Sequence, residues 1–114
     1  MKIGEHNELL LSAGGDIVKD NEIYVLTDNT VLKNLAVSTT NLHPYKMTRG
    51  HKHEGQEEVY IFTSGVGKMY LDLEEFPVQK GDIVVIKDGQ FHRVENPNSE
   101  ALQFLCVFEG KRNH

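Results

Sequence analysis

The segment GHKHEGQEEVYIFTSG, Gly50 to Gly65, sets His51 and His53 one residue apart and places Glu58 at the head of an apolar, β-branched run. Side chains two apart on a strand share a face, so His51 and His53 point together, and so do Glu58, Tyr60 and Phe62. A second segment, GDIVVIKDGQFHRVEN, Gly81 to Asn96, opens a strand at His92 just after an Asp88-Gly89 turn. If these faces look inward, His51, His53, Glu58 and His92 converge on one point. Three neutral imidazoles and a carboxylate suit one divalent first-row ion and leave positions for water or substrate. Such mixed ligation fits Mn, Fe, Ni or Co better than a closed, thiolate-rich zinc site. Taken alone, the HxH pair reads as a solvated loop; Glu58 and His92 at their spacing weigh against that. Glu57 competes for the carboxylate role, but the count to Gly65 and the alternation with Tyr60 favour Glu58.

Short strands must position these groups. EIYVLT (Glu22 to Thr27) and VLKNLAVSTTNL (Val31 to Leu42) flank a tight-turn signal at Asp28-Asn29-Thr30. EEVYIF (Glu57 to Phe62) and KMYLDL (Lys68 to Leu73) flank Gly65-Val66-Gly67, and DIVVI, HRVEN and ALQFLCVFEG complete the series. Turns at this spacing predict an all-β sandwich or barrel, and between Glu22 and Gly110 no helical period competes with it. A weak helical pattern lies near the N-terminus. The chain of 114 residues, 39% hydrophobic and 25% charged, fits a single globular domain, 1–114. Within it the expected barrel covers about 22–110, preceded by an arm, 1–21.

Net charge of −5 argues against a nucleic-acid or anionic-membrane surface. No stretch has the length of a membrane span, and the N-terminus lacks the apolar core of a signal peptide. The single cysteine, Cys106, suits a reducing cytoplasm and reads as a buried, inert thiol in FLCVF. His6, His43 and His114 lie outside both clusters; the first and last read as surface residues and His43 as a turn residue beside Pro44.

Gly50, His51, His53, Glu58 and Gly65 together resemble the first motif of the cupin superfamily. Gly81, Gly89, His92 and Asn96 resemble its second motif, with Lys87 where that motif has proline. The resemblance implies a jelly-roll barrel, one metal ion (Mn, Fe, Ni, Co or Zn) on His51, His53, Glu58 and His92, and a homodimer. The strands EIYVLT and VLKNLAV, outside the metal motifs, are the expected interface. The stretches MTRGHKH, EEVYIFTSGVGKM, GDIVVI, FHRVEN and FLCVF are also similar to archaeal cupin-type glucose-6-phosphate isomerases. By that likeness Thr48, Gly50 and Tyr60 are substrate-binding positions. The chain departs from that family in a shorter N-terminal part and a shorter loop between HxH and the glutamate.

The expected activity is therefore isomerisation or epimerisation of a sugar or sugar phosphate. A divalent ion on two adjacent substrate oxygens would stabilise an enediolate. The base is left open among Glu58, a metal-bound hydroxide and the Tyr60 phenol. Tyr60 also reads as a barrel packing residue. Lys68, Lys87 and Arg93 are possible anion-binding groups, but each reads first as a surface charge, and Arg93 is expected to point away from His92. Two other classes stay open: a cupin dioxygenase using Fe or Ni with O₂, and a non-catalytic cupin that binds a small ligand.

Overall fold

The computed structural model describes Lys2 and residues 15–110; the N-terminal helical pattern, His6 and His114 lie outside them. Nine strands form two antiparallel sheets. They are β1 (Asp16–Asp20), β2 (Tyr24–Asn29), β3 (Leu35–Leu42), β4 (Glu58–Ser64), β5 (Val66–Leu71), β6 (Glu74–Gln79), β7 (Ile83–Ile86), β8 (His92–Glu95) and β9 (Leu102–Glu109). The larger sheet runs β1-β2-β3-β9-β4-β7 and the smaller β6-β5-β8. Among the described residues there is no helix, hence none long and apolar enough to cross a membrane.

Period-two alternation builds one core between the sheets. Phe104, Cys106 and Phe108 of β9, Tyr60 and Phe62 of β4, and Val84 and Ile86 of β7 are buried together with Met69, Val78 and Val94 of the smaller sheet. Burying such side chains stabilises the fold by about 1.5–3 kcal/mol each, which offsets the ordering of the chain. Ser64 ends β4 and Val66 begins β5, so the chain changes sheets at Gly65. There φ is +91°, and a Cβ would lie 2.6 Å from the Ala101 carbonyl oxygen, a corner that only glycine turns without strain.

Several boundaries differ from the sequence reading. Asp28 and Asn29 belong to β2 rather than to a turn. The turn comes later because Asn29 Oδ1 accepts from the Val31 amide at 3.1 Å, ending the strand with a side-chain cap. Val31 to Asn34 are consequently loop rather than strand, and Val31 and Leu32 are exposed. The strand expected from Glu57 starts at Glu58 and continues to Ser64. β6 was not expected, since its acidic start and Pro77 hide it; it is an edge strand, where a missing amide is tolerated. β1 lies inside the stretch expected as an arm and pairs with β2. A bulge between Ile17 and Lys19 puts Ile17 opposite Thr27 but Lys19 opposite Leu26, so Lys19 shares the inward face of the sheet.

Candidate metal centre

Three imidazoles meet at one end of the fold, and loop hydrogen bonds set each of them. His51 and His92 exchange backbone hydrogen bonds, the His51 amide donating to the His92 carbonyl at 3.1 Å and the His92 amide returning one at 3.0 Å. The His53 carbonyl accepts from the Gly89 amide at 3.0 Å, and Asp88 Oδ1 accepts from the Gly55 amide at 2.7 Å. Asp72, in the β5–β6 turn, accepts from the Phe91 amide at 3.0 Å and from Gln90 Nε2 at 2.9 Å. Gln90 Oε1 in turn accepts from the Lys87 amide at 2.8 Å. The backbone N–H that proline would lack is therefore used here, a physical reason for lysine at that position.

The ring centroids lie 4.7 Å apart for His51 and His53, 5.0 Å for His51 and His92, and 5.6 Å for His53 and His92. Each ring offers a nitrogen within 4.8 Å of the other two. Glu58 reaches the same point from β4, with Oε1 3.6 Å from His53 Nε2 and Oε2 3.6 Å from His92 Nε2. Glu57 is exposed, whereas Glu58 is buried.

The donor set fits a cation. His92 Nδ1 lies 3.1 Å from the Gln90 carbonyl, which can only accept, so Nδ1 carries the proton and the Nε2 lone pair faces the cluster. That Nε2 is buried and has no hydrogen-bond partner. The Glu58 carboxylate lies between Ile86 and Phe108 in the strand register, and among the described residues no lysine or arginine pairs with it. A buried carboxylate is costly unless a positive charge compensates it. A divalent ion held by His51, His53 and His92 would satisfy both groups, and this cluster can bind a metal.

A cavity of about 460 Å³ opens beside His51 and His92. Tyr60 and Phe104 form its floor, their rings stacked with centroids 4.9 Å apart, and Ile23 and Leu26 line its wall. Thr48, Gly50 and Tyr60, the three positions read as substrate-binding, all line it. Thr48 also has a structural duty: its amide donates to the Val94 carbonyl at 2.9 Å and its hydroxyl accepts from the Val94 amide at 2.9 Å. At Gly50, with φ +85°, a Cβ would sit 2.6 Å from the Phe91 ring. Tyr60 is both lining and core, with its ring edge-on to His92 at 5.8 Å and 92% of its surface buried or shielded by neighbours (8% exposed).

Of the cations read as possible anion-binding groups, none lines the cavity. Lys68 pairs with Glu75 at 2.8 Å, Lys87 is exposed, and Arg93 Nε donates to the Thr48 carbonyl at 3.4 Å on the face of β8 opposite His92. The cations that do line it are Lys19 and Arg49, which the sequence reading missed. Arg49 stands next to Gly50 and had a visible signal in that adjacency; Lys19 depends on the β1 bulge and had none. Asn96, a motif position, is fully buried and structural: its Nδ2 donates to the carbonyls of Leu42, His43 and Glu100.

Residues 38–108 match the Cupin_2 family, described as a cupin domain, and the chain belongs to the cupins. An uncharacterized protein of Methanocaldococcus jannaschii is 43% identical over 56 residues, 49% of this chain and 45% of that one. An oxalate-binding protein of Thermotoga maritima is 35% identical over 57 residues, 50% of this chain and 47% of that one. The chain thus spans about half the length of the curated relatives it matches. The crystal structure of a predicted oxalate decarboxylase from Thermotoga maritima superposes with a TM-score of 0.70 at 25% identity, covering 75% of this chain and 79% of that one.

Proposed function

We propose that this cupin holds one divalent transition ion (Mn, Fe, Ni, Co or Zn) on His51, His53, Glu58 and His92 and uses it to bind a small anion. The ligand class is a carboxylate with a second oxygen placed to chelate, as in a dicarboxylate, a 2-oxo acid or a sugar acid. One observation carries this reading. The cavity beside the imidazoles is lined by Lys19 and Arg49 and, among the described residues, by no aspartate or glutamate, in a chain of net charge −5. Clefts of one sign concentrate ligands of the other. The likeness to an oxalate-binding protein over half the chain points the same way.

When bound, the ion supplies Lewis acidity to a ligand oxygen. The chain's own residues do the rest. Lys19 and Arg49 draw the anion in, the Thr48 hydroxyl and the Gly50 backbone border it, and Phe104, Leu26 and Ile23 exclude water. Titration calorimetry of the metal-loaded protein with oxalate, a 2-oxo acid and a sugar phosphate tests the reading. Binding of the carboxylates should require metal, weaken roughly tenfold in Arg49→Ala, and weaken with added salt. Carboxylate binding that is unchanged after chelation would overturn it.

A second reading, the sugar or sugar-phosphate isomerase, is favoured by the gathering of Thr48, Gly50 and Tyr60 along this one cavity. In it Glu58 and Tyr60 are the catalytic candidates, and the Tyr60 phenol would hold or move a proton at the substrate. Anaerobic incubation with sugar phosphates in D₂O, following both isomer and label, tests it. Conversion lost in Tyr60→Phe at unchanged metal content would support it. Oxygen uptake with the same loaded protein would favour the dioxygenase instead.

A homodimer belongs to the same proposal. Ile83 and Val85 are exposed on the outward face of the larger sheet, in register with Ile61 and Val59, which pair in turn with Leu105 and Val107, and Val107 pairs with Val37; Leu35, also exposed, shares the face of Val37 and pairs with Glu109. This apolar face takes in Leu35 and Val37 of the expected segment VLKNLAV and extends it across β9, β4 and β7, which supports self-association. Light scattering should give twice the chain mass, and Val85→Lys should return the monomer.

A further inference from the structure

We propose that Cys106 is a positioning residue of the metal centre: its thiol donates to Glu58 Oε2 and sets the carboxylate that faces the imidazoles. The inference rests on the reading of Glu58 as a ligand. Cys106 Sγ lies 3.6 Å from Glu58 Oε2, and both groups are buried. Glu58 Oε2 is also the oxygen 3.6 Å from His92 Nε2, while Oε1 faces His53 Nε2. The thiol therefore touches the carboxylate from the side of the larger sheet, and the imidazoles touch it from the loops and β8.

The strand register fixes this placement. Cys106 pairs with Tyr60 across the β9–β4 ladder, and Glu58 pairs with Phe108, so the thiol and the carboxylate are diagonal neighbours on one inward face. On its other side Glu58 pairs with Ile86, whose side chain offers no hydrogen-bond donor. A carboxylate oxygen held by a hydrogen bond keeps one rotamer, and its orientation toward a shared cation follows. No electron or group transfer is involved: Cys106 stays a thiol, and its proton is shared with Glu58 and not lost.

Chelator competition with Co(II) and Mn(II) on the full chain tests the role through a double-mutant cycle. Cys106→Ala should weaken ion binding about tenfold, the lower end of the effect of losing a hydrogen bond to a ligand. In a Glu58→Ala background the same substitution should have no further effect, because the thiol acts through the carboxylate. Cys106→Val, which keeps an apolar group of similar size, should reproduce the Cys106→Ala loss and control for folding. The visible spectrum of the Co(II)-loaded wild-type protein should lack a thiolate-to-cobalt charge-transfer band.

Wild-type affinity in both Cys106 variants would overturn the positioning role. So would an equal loss in the two backgrounds, which marks a packing effect, or a charge-transfer band, which marks a direct ligand. The underlying site reading fails separately, if the wild-type chain takes up no divalent ion or if Glu58→Ala binds like wild type; either result also removes the positioning role.

Discussion

The two walls of the candidate metal centre are built in opposite ways. On one wall His51, His53 and His92 stand on loops and a short strand, and their backbones are tied by hydrogen bonds between loops at Gly89, Asp88, Asp72 and Gln90. On the other, Glu58, Tyr60 and Cys106 stand on β4 and β9, where continuous ladder pairing sets their spacing. The first wall is local in each segment and is joined by a few polar contacts. The second depends on register across a long stretch of chain, with a bulge between Phe62 and Ser64 as its one irregularity. Loss of a ligand should therefore act at full strength on either wall. Loss of support should be graded on the loop wall and cooperative on the sheet wall.

Removing a ligand is the largest perturbation. His92→Ala should lower divalent-ion affinity by at least about 100-fold, because it removes the nitrogen that is buried without a partner and leaves Glu58 with one imidazole neighbour. His51→Ala should do the same. Elemental analysis after dialysis and chelator competition measure both, with far-ultraviolet circular dichroism confirming the fold. Retained stoichiometry in either variant would break the comparison at its base, since the loop wall would then not be a ligand wall.

Acidification perturbs the same wall without mutation. Ligating imidazoles must be neutral, so protons compete with the ion as the solution is acidified. Affinity should fall with falling pH, by as much as three decades per pH unit if all three rings protonate. A chelator-competition series from pH 5 to pH 8 gives the slope. A slope near one would mean that a single imidazole controls occupancy.

The contrast between the walls also explains what the sequence made legible. HxH, Glu58 and His92 announce themselves through local spacing, and the alternation from Glu58 to Phe62 correctly puts Tyr60 on the face of Glu58. Cys106 is buried as expected, but nothing local to FLCVF reveals that β9 pairs with β4 with Cys106 opposite Tyr60 and its thiol beside Glu58. Lys19 was invisible for a similar reason, since a bulge turns it inward. β6 was hidden by Glu74, Glu75 and Pro77, residue types that strands disfavour except at an edge. Chemistry carried by spacing was readable; chemistry carried by register was not.

Support on the loop wall can be weakened one contact at a time. Asp88→Ala removes the acceptor of the Gly55 amide and so loosens the tie between the loop after His53 and the loop before His92. A single hydrogen bond of this kind contributes about 1 kcal/mol. The expected result is a drop of that size in unfolding free energy and a several-fold loss of ion affinity, both read in the same denaturation and competition series. A loss of affinity as large as that of His92→Ala would mean that the loops are not independent supports, and the graded behaviour of this wall would be refuted.

The smallest effect is expected on the outward face of the smaller sheet, away from both walls. There Tyr70 donates to Glu95 Oε1 at 2.9 Å, and Lys68 pairs with Glu75 while lying over the Tyr70 ring at 5.3 Å. The hydrogen bond to Glu95 holds the Tyr70 phenol above its ordinary value of 10.0, and the bond to Glu75 raises the Lys68 ammonium in the same sense. Both groups are favoured in their protonated forms when folded. Their contribution is therefore fully present at neutral pH and is lost as pH rises from the unfolded value through the raised folded one. Because these contacts face solvent, Tyr70→Phe should leave the unfolding midpoint at pH 7 close to wild type. The difference between the two proteins should shrink further above pH 10, once the wild-type phenol ionises beside Glu95. Denaturation midpoints measured from pH 7 to pH 11 check the sign. A wild-type advantage that grows with pH would show that Tyr70 is stabilised as the phenolate, and the outward ladder would then be electrostatically unlike the one described by Lys68, Tyr70, Glu75 and Glu95.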